Sequence, residues 1–156
     1  MDALVANGTG GFWIGTKDRG LWSWNAGVWT AVEAEGKAPV DISVIEPCPS
    51  GDHWAVGTWG EGTWILEGNH LHPESQGNEY VVAAAWTSQG PLWGTLDEGL
   101  VTGTGADRAV LGPLDGLPPG GISALVTWEG RWIWGTTGQG LGWWGEHENE
   151  NPALLR

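Results

Sequence analysis

The chain has one cysteine, Cys48, so neither a disulfide framework within the chain nor a site built on several cysteines is open to it. Basic residues are scarce as well. Six Lys and Arg stand against nineteen Asp and Glu, a formal charge of −13, and the resulting field repels phosphate, which argues against nucleic acid and anionic membranes as partners. A basic protein partner is compatible with it. No stretch reaches the roughly eighteen uninterrupted apolar residues of a membrane span. The first residues, MDALVANGTGG, lack the basic segment and apolar core of an export signal. The expectation is a soluble chain, cytoplasmic by default, with no membrane partner.

Familiar site patterns are also missing. There is no zinc spacing, phosphate loop, dinucleotide fingerprint or calcium loop, and GTGG and GTGAD lack the lysine or the strand–turn–helix setting that gives such glycines meaning. Carboxylates are plentiful, but nothing singles out a catalytic pair. Cys48 stands between Pro47 and Pro49 with no evident catalytic partner, which favours a structural role. His70 and His72 are two apart, so on a strand they face the same way. That spacing suits a metal pair, but the sequence places no third ligand and surface histidines are the simpler account. The expectation is a non-enzyme with no catalytic residue, no metal and no cofactor.

What the chain does have is glycine and tryptophan, 28 and 14 of them among 156 residues. Fourteen Trp do not belong in a disordered chain, and many short strands joined by tight turns account for both abundances. A Gly-Thr followed by Gly recurs as GTKDRG from Gly15, GTWGEG from Gly57, GTLDEG from Gly94 and GTTGQG from Gly135, at separations of 42, 37 and 41 residues. That period is the one expected of a four-stranded propeller blade.

Around each copy the same frame is legible. An apolar first strand (Ala3 to Ala6, Ile42 to Ile45, Val81 to Ala85, Ile122 to Val126) leads through a polar turn to a Trp-led second strand ending at Gly-Thr, then to a third strand after the turn. Fourth strands are expected at Trp29 to Val32, near His70 to His72, at Ala109 to Leu111 and at Ala153 to Leu155. The turn glycines supply positive φ. Trp13, Trp54, Trp93 and Trp132 take the same place in each copy, which reads as core packing. The expected architecture is a single all-β domain over residues 1–156, a β-propeller with four antiparallel blades at about 2–40, 41–80, 81–120 and 121–156.

The combination of Trp-x-Gly-Thr, Gly-Leu and the step DGLPPGGISAL (Asp115 to Leu125) resembles the two-component regulator propeller repeat. The second copy departs from it, with Gly62-Thr63-Trp64 in place of Gly-Leu. The resemblance implies a propeller of the kind that senses ligands or mediates association in hybrid signalling proteins, although this chain shows no kinase or response-regulator segment. Four blades must close either as a small ring or as an eight-bladed ring of two chains. Larger rings are the rule for that frame, so a homodimer is the expectation. Adjacent Trp143 and Trp144 cannot share one face of a strand, so one of them is expected to be exposed or covered by a partner.

Loops on a rigid scaffold commonly carry binding. The loop face would gather Lys17, Asp18 and Arg19, then Trp59 and Glu61, then Asp97 and Glu98, then Thr137 and Gln139. Of these the expected contact residues are Asp18, Arg19, Trp59, Glu61, Asp97, Glu98 and Gln139. Trp59 is the sharpest, because the other copies carry Lys17, Leu96 and Thr137 there. Its alternatives are a stacking platform or packing over a neighbouring loop. The expected function is a binding or scaffold module for a protein partner or a small ligand, and the rival is a carbohydrate-binding lectin with Trp-containing loop sites.

Overall fold

The computed structural model describes residues 3–75, 77–103, 105–145 and 153–155. Its first sheet is formed by β1 (Ala3–Ala6), β2 (Phe12–Gly15), β3 (Leu21–Asn25) and β4 (Val28–Ala31). A two-residue strand, β5 (Glu33–Ala34), precedes β6 (Ile42–Pro47), β7 (His53–Thr58), β8 (Thr63–Glu67) and β9 (His70–Pro73). The third sheet holds β10 (Val81–Thr87), β11 (Gly90–Thr95), β12 (Leu100–Thr102) and β13 (Ala109–Leu111). The fourth holds β14 (Ile122–Trp128), β15 (Arg131–Thr136), β16 (Leu141–Gly145) and β17 (Ala153–Leu155). The strands expected from the sequence are all present, and β5 is an addition to them. Alternation explains them: β3 buries Leu21 and Ser23 and turns Trp22 and Trp24 the other way, half-buried.

Within each sheet, sequential strands pair antiparallel in chain order. The second sheet differs, because β5 joins its outer edge and runs parallel to β9, with Glu33 opposite His70 and Ala34 opposite Leu71. The chain divides into two compact units, Met1–Val81 and Val82–Arg156.

The recurring Gly-Thr segment is a turn with a fixed hydrogen-bond pattern. Thr16 Oγ1 donates to Gly20 O at 2.9 Å and accepts from Arg19 N at 3.0 Å. Thr58, Thr95 and Thr136 repeat both bonds with Gly62 and Glu61, Gly99 and Glu98, and Gly140 and Gln139. The closing glycines have φ of 70°, 81°, 102° and 94°, the left-handed region where a Cβ is costly.

The opening glycines are needed for space instead. A Cβ on Gly15 would lie 2.5 Å from Ile42 Cγ2, one on Gly57 2.5 Å from Val81 Cγ1, and one on Gly94 2.8 Å from Ile122 Cγ2. Gly15 and Gly94 thereby let the first strand of the following sheet pass close by, and Gly57 makes room for Val81. At Gly135 the nearest atom to such a Cβ is Ala124 Cβ at 3.6 Å, an ordinary contact.

In the first unit the core gathers Trp13, Leu21, Ile42, Trp54, Val56, Trp64, Leu66 and Leu71. Trp13 and Trp54 meet edge-on at 5.5 Å, a geometry worth about 0.5–1.5 kcal/mol beyond the area buried. In the second unit Leu92, Leu100, Leu117, Ile122 and Trp134 form a core, and Trp93 is buried as well. Trp134, not Trp132, is the fully buried indole of the fourth sheet; Trp132 is half-buried and meets Trp144 edge-on at 6.2 Å. Trp132 and Trp134 stand two apart on β15 and share one face of the strand. Trp143 and Trp144 are both half-buried, so neither is the exposed residue expected of that pair.

The expected propeller is overturned. The structure is all-β with four distinct antiparallel sheets, but no strand pairing among the described residues closes them into a ring or a barrel, and they are not equivalent repeats of one blade. The physical reason is that what recurs along the sequence is the threonine-locked turn, a local device that fixes a hairpin without fixing how hairpins assemble. The second sheet shows the inequality, since it recruits a fifth strand from the connection that precedes it. An eight-bladed ring shared by two chains falls with the propeller, and the homodimer expected from it loses its ground.

Burial of Glu74 holds its carboxyl above the usual carboxylate range, and its Oε2 has no hydrogen-bond partner. A raised folded pKa means that the folded state binds a proton the unfolded state has released. Stability therefore falls as pH rises from the unfolded to the folded pKa, and the whole penalty applies above that window.

Two outcomes follow. Gly57→Ala should cost about 1–3 kcal/mol, as overpacking of a tight contact does, while Gly135→Ala should stay within about 0.5 kcal/mol. Equal urea midpoints for the two variants would refute the spacing argument. Glu74→Gln should raise the urea midpoint at neutral pH and lose that gain as the pH falls below about 4, where the unfolded carboxyl is protonated as well; a gain independent of pH would show that the charge is not its source.

Candidate functional site

The four threonine turns hold one residue in the same backbone setting, and these are Arg19, Glu61, Glu98 and Gln139, whose N–H groups donate to the turn hydroxyl at 3.0, 2.9, 3.0 and 3.0 Å. Their side chains are used differently. Glu61 turns onto its own chain, where Oε2 accepts from Val40 N at 2.7 Å and Asp41 N at 3.1 Å while Oε1 lies 3.7 Å from Lys37 Nζ. Charge-assisted bonds of this kind are the strong ones, so Glu61 fastens the entry to β6 and is not a free contact residue. Glu98 Oε2 lies 3.6 Å from Arg108. Asp18, Arg19, Asp97 and Gln139 are exposed. Asp18, Arg19, Trp59 and Glu61 belong to the first unit; Asp97, Glu98 and Gln139 belong to the second.

Trp59 is held from two sides. Its N–H donates to Asp41 O at 2.9 Å, and Gly60 N donates to Glu79 O at 3.0 Å, in a backbone bridge that sets Trp59 opposite Tyr80. The two rings lie 5.3 Å apart at 58°. Each remains open to solvent, 43% for Trp59 and 39% for Tyr80. Packing over a neighbouring loop and presenting an aromatic face are thus both true of Trp59. Tyr80 escaped the sequence reading, although it is the chain's single Tyr and immediately precedes β10. Beside the pair runs a groove of about 280 Å³ lined by Lys37, Pro39, Gly60, Glu61, Trp64 and Asn78. Trp64 Nε1 donates to Glu61 O at 3.0 Å, which leaves the ring fixed beneath that groove. Trp22 does the same with Arg19 O at 2.8 Å.

Two further clusters matter chemically. His70 and His72 lie 4.9 Å apart, tilted at 53°, on one face of β9, as their spacing implied, and each faces a carboxylate from the neighbouring chain segment: Glu33 at 3.9 Å and Glu35 at 3.5 Å. The other cluster was hidden in the sequence. The β6–β7 turn brings Cys48, Asp52 and His53 together, with a donor atom of each within 4.8 Å of the others. Hydrogen bonds from Ser50 and then His53 hold the Asp52 carboxyl below the usual carboxylate range. The expectation that Cys48 lacks partners is corrected: the turn reverses the chain, so residues four and five positions along return to it. Among the described residues no helix is long and apolar enough to cross a membrane.

A cleft of about 640 Å³ in the second unit is lined by Thr87, Ser88, Gln89, Thr102, Leu111, Trp132 and Trp144, among others. It joins two half-buried indoles to hydroxyl and amide groups.

No family model matches the chain, and no curated protein does. The family resemblance carried by Trp-x-Gly-Thr and Asp115 to Leu125 is therefore withdrawn, together with the propeller it implied. Solved structures do match. The extracellular domain of a hybrid two-component system from B. thetaiotaomicron superposes with a TM-score of 0.76 at 19% identity, over 98% of this chain and 21% of that one. A B. thetaiotaomicron extracellular domain described as that of a one-component system gives 0.76 at 18%, again over 98% and 21%. A computationally designed protein, Ika4, gives 0.69 at 13%, over 92% of this chain and 89% of that one. The chain spans about a fifth of the length of the two bacterial domains. Because both are extracellular domains, the cytoplasmic default expected from the sequence is overturned. At these identities the likeness is one of fold.

Proposed function

We propose that the chain is a non-catalytic recognition module whose first unit binds a cationic protein segment through the exposed Trp59–Tyr80 pair. The observation that carries this is the pair itself: two rings held by backbone bonds at a turn where the other copies have Lys17, Leu96 and Thr137. Nothing in the turn's own geometry requires an indole there, since the remaining three turns close without one. Aromatic faces attract Arg and Lys side chains, and the charge of −13 draws a basic partner towards the surface. Asp18 and Arg19 add to this surface as side chains of a similarly held turn in the first unit, while Asp97, Glu98 and Gln139 are proposed as contacts of the second unit by itself. The fold likeness to extracellular domains of signalling systems supports sensing outside the cell.

A second reading, carbohydrate binding, is favoured by the Trp132–Trp144 cleft, because indole faces stack on sugar rings and nearby hydroxyl and amide groups can bond to sugar hydroxyls.

Selection from a displayed peptide library should enrich Arg- and Lys-rich sequences, and Trp59→Ala with Tyr80→Ala should weaken the best of them about thirtyfold, as loss of an aromatic hot spot does. Undiminished binding by the folded double variant removes this surface from consideration. A glycan array on which the wild-type protein gives hits and Trp132→Ala gives none would establish the second reading in its place.

A further inference from the structure

We infer that the β6–β7 turn is a binding site for a thiophilic divalent cation, zinc being the type, held by the Cys48 thiolate, the Asp52 carboxylate and a ring nitrogen of His53. This site is independent of the Trp59–Tyr80 surface. Among the described residues it is the cluster in which three such side chains converge, with their donor atoms all within 4.8 Å of one another. Zinc takes sulfur at about 2.3 Å, and nitrogen and oxygen at about 2.0–2.2 Å.

The chemistry of the set is selective. Sulfur with nitrogen suits zinc and its neighbours, whereas magnesium and calcium require oxygen. The groups are already in mutual contact: the Ser50 hydroxyl donates to Asp52 Oδ1 at 2.5 Å and lies 3.2 Å from Cys48 Sγ, and His53 Nδ1 lies 2.5 Å from Asp52 Oδ1. On binding, the thiol releases its proton to water and the ion displaces the hydrogen bonds within the cluster. Three protein donors leave a fourth position for water, and Ser50 is placed to orient the Asp52 carboxylate from outside the coordination sphere.

The turn is held in its shape without help from an ion. Cys48 N donates to His53 O at 2.9 Å, Gly51 N donates to Cys48 O at 2.8 Å, and Gly51 has φ of 78°. Pro47 and Pro49 on either side of Cys48 restrict the backbone further. Preorganisation of this kind lowers the ordering cost of binding. His70 and His72 make the contrast, since each faces its own carboxylate, at 3.9 and 3.5 Å, and their donors do not converge with a third.

The test is titration of the reduced, chelator-treated protein with cobalt(II), followed by zinc. One equivalent of cobalt should produce a thiolate-to-metal charge-transfer band and the intense visible absorption of a four-coordinate ion, both bleached by zinc. Cys48 is the chain's single cysteine, so the band reports that residue without any variant. Asp52→Asn and His53→Gln should each weaken binding about tenfold or more, the scale of loss seen even for outer-shell partners. His70→Gln with His72→Gln should leave it unchanged. The proposal is overturned by the absence of the band, by saturation at half an equivalent, which would mean two chains sharing one ion, or by unaltered affinity in both ligand variants. Should the variants fail to fold, the wild-type spectrum decides alone: four-coordinate intensity supports the site and the weak spectrum of a six-coordinate ion refutes it.

Discussion

The contact on which most of each unit depends is the one between a glycine with no side chain and a β-branched residue further along the chain. Gly15 receives Ile42, Gly57 receives Val81, and Gly94 receives Ile122, each of these partners being fully buried. Because the glycine is followed by the threonine that locks the turn, one dipeptide sets both the local reversal of the chain and the distance at which the following strand packs. Hydrophobic burial then has a defined place to act: Ile42, Val81 and Ile122 remove their side chains from water at a spacing that any methyl group on the glycine would forbid.

The strands were legible because two local signals agreed, alternation of apolar residues and turns marked by Gly-Thr and a second glycine. Even the weak fourth strands at Ala109–Leu111 and Ala153–Leu155 lay where spacing put them. Assembly of the hairpins was not legible. Asp115 illustrates why: in the step that suggested a family, its carboxylate accepts from Gly112 N at 2.9 Å, Gly116 takes a φ of 93°, and Leu117 is buried. All of this is the chemistry of one turn, which many architectures use. A period of about forty residues reports the length of a four-stranded unit and is silent about ring closure.

The candidate sites divide along the same line. Trp59 stood out because its turn position was otherwise occupied by unlike residues, and it does face solvent. Tyr80 did not stand out, since its partnership arises from a single backbone bridge between residues 21 positions apart. Glu61 looked like a free loop carboxylate and is committed to Val40 and Asp41, bonds that only three dimensions reveal. Cys48, Asp52 and His53 appeared to be separated by turn residues, yet a reversal of the backbone makes such neighbours converge. Trp132 and Trp134 stand two apart on β15 and so share a face, yet only Trp134 is fully buried, a difference that the strand pattern by itself does not set.

The short parallel strand Glu33–Ala34 changes what the second sheet offers to another chain. An outer strand with unpaired N–H and C=O groups is a template for another chain. In the second sheet that template is occupied by two residues of the connecting segment, the first of them acidic, with Glu33 N donating to Asn69 O and Glu35 N to Leu71 O at 3.2 and 2.9 Å. The first sheet ends instead on β4, whose four residues are all exposed. Protection against edge-to-edge aggregation is therefore unequal within one unit, and at the second sheet it comes from a linker whose composition alone gives no sign of that duty.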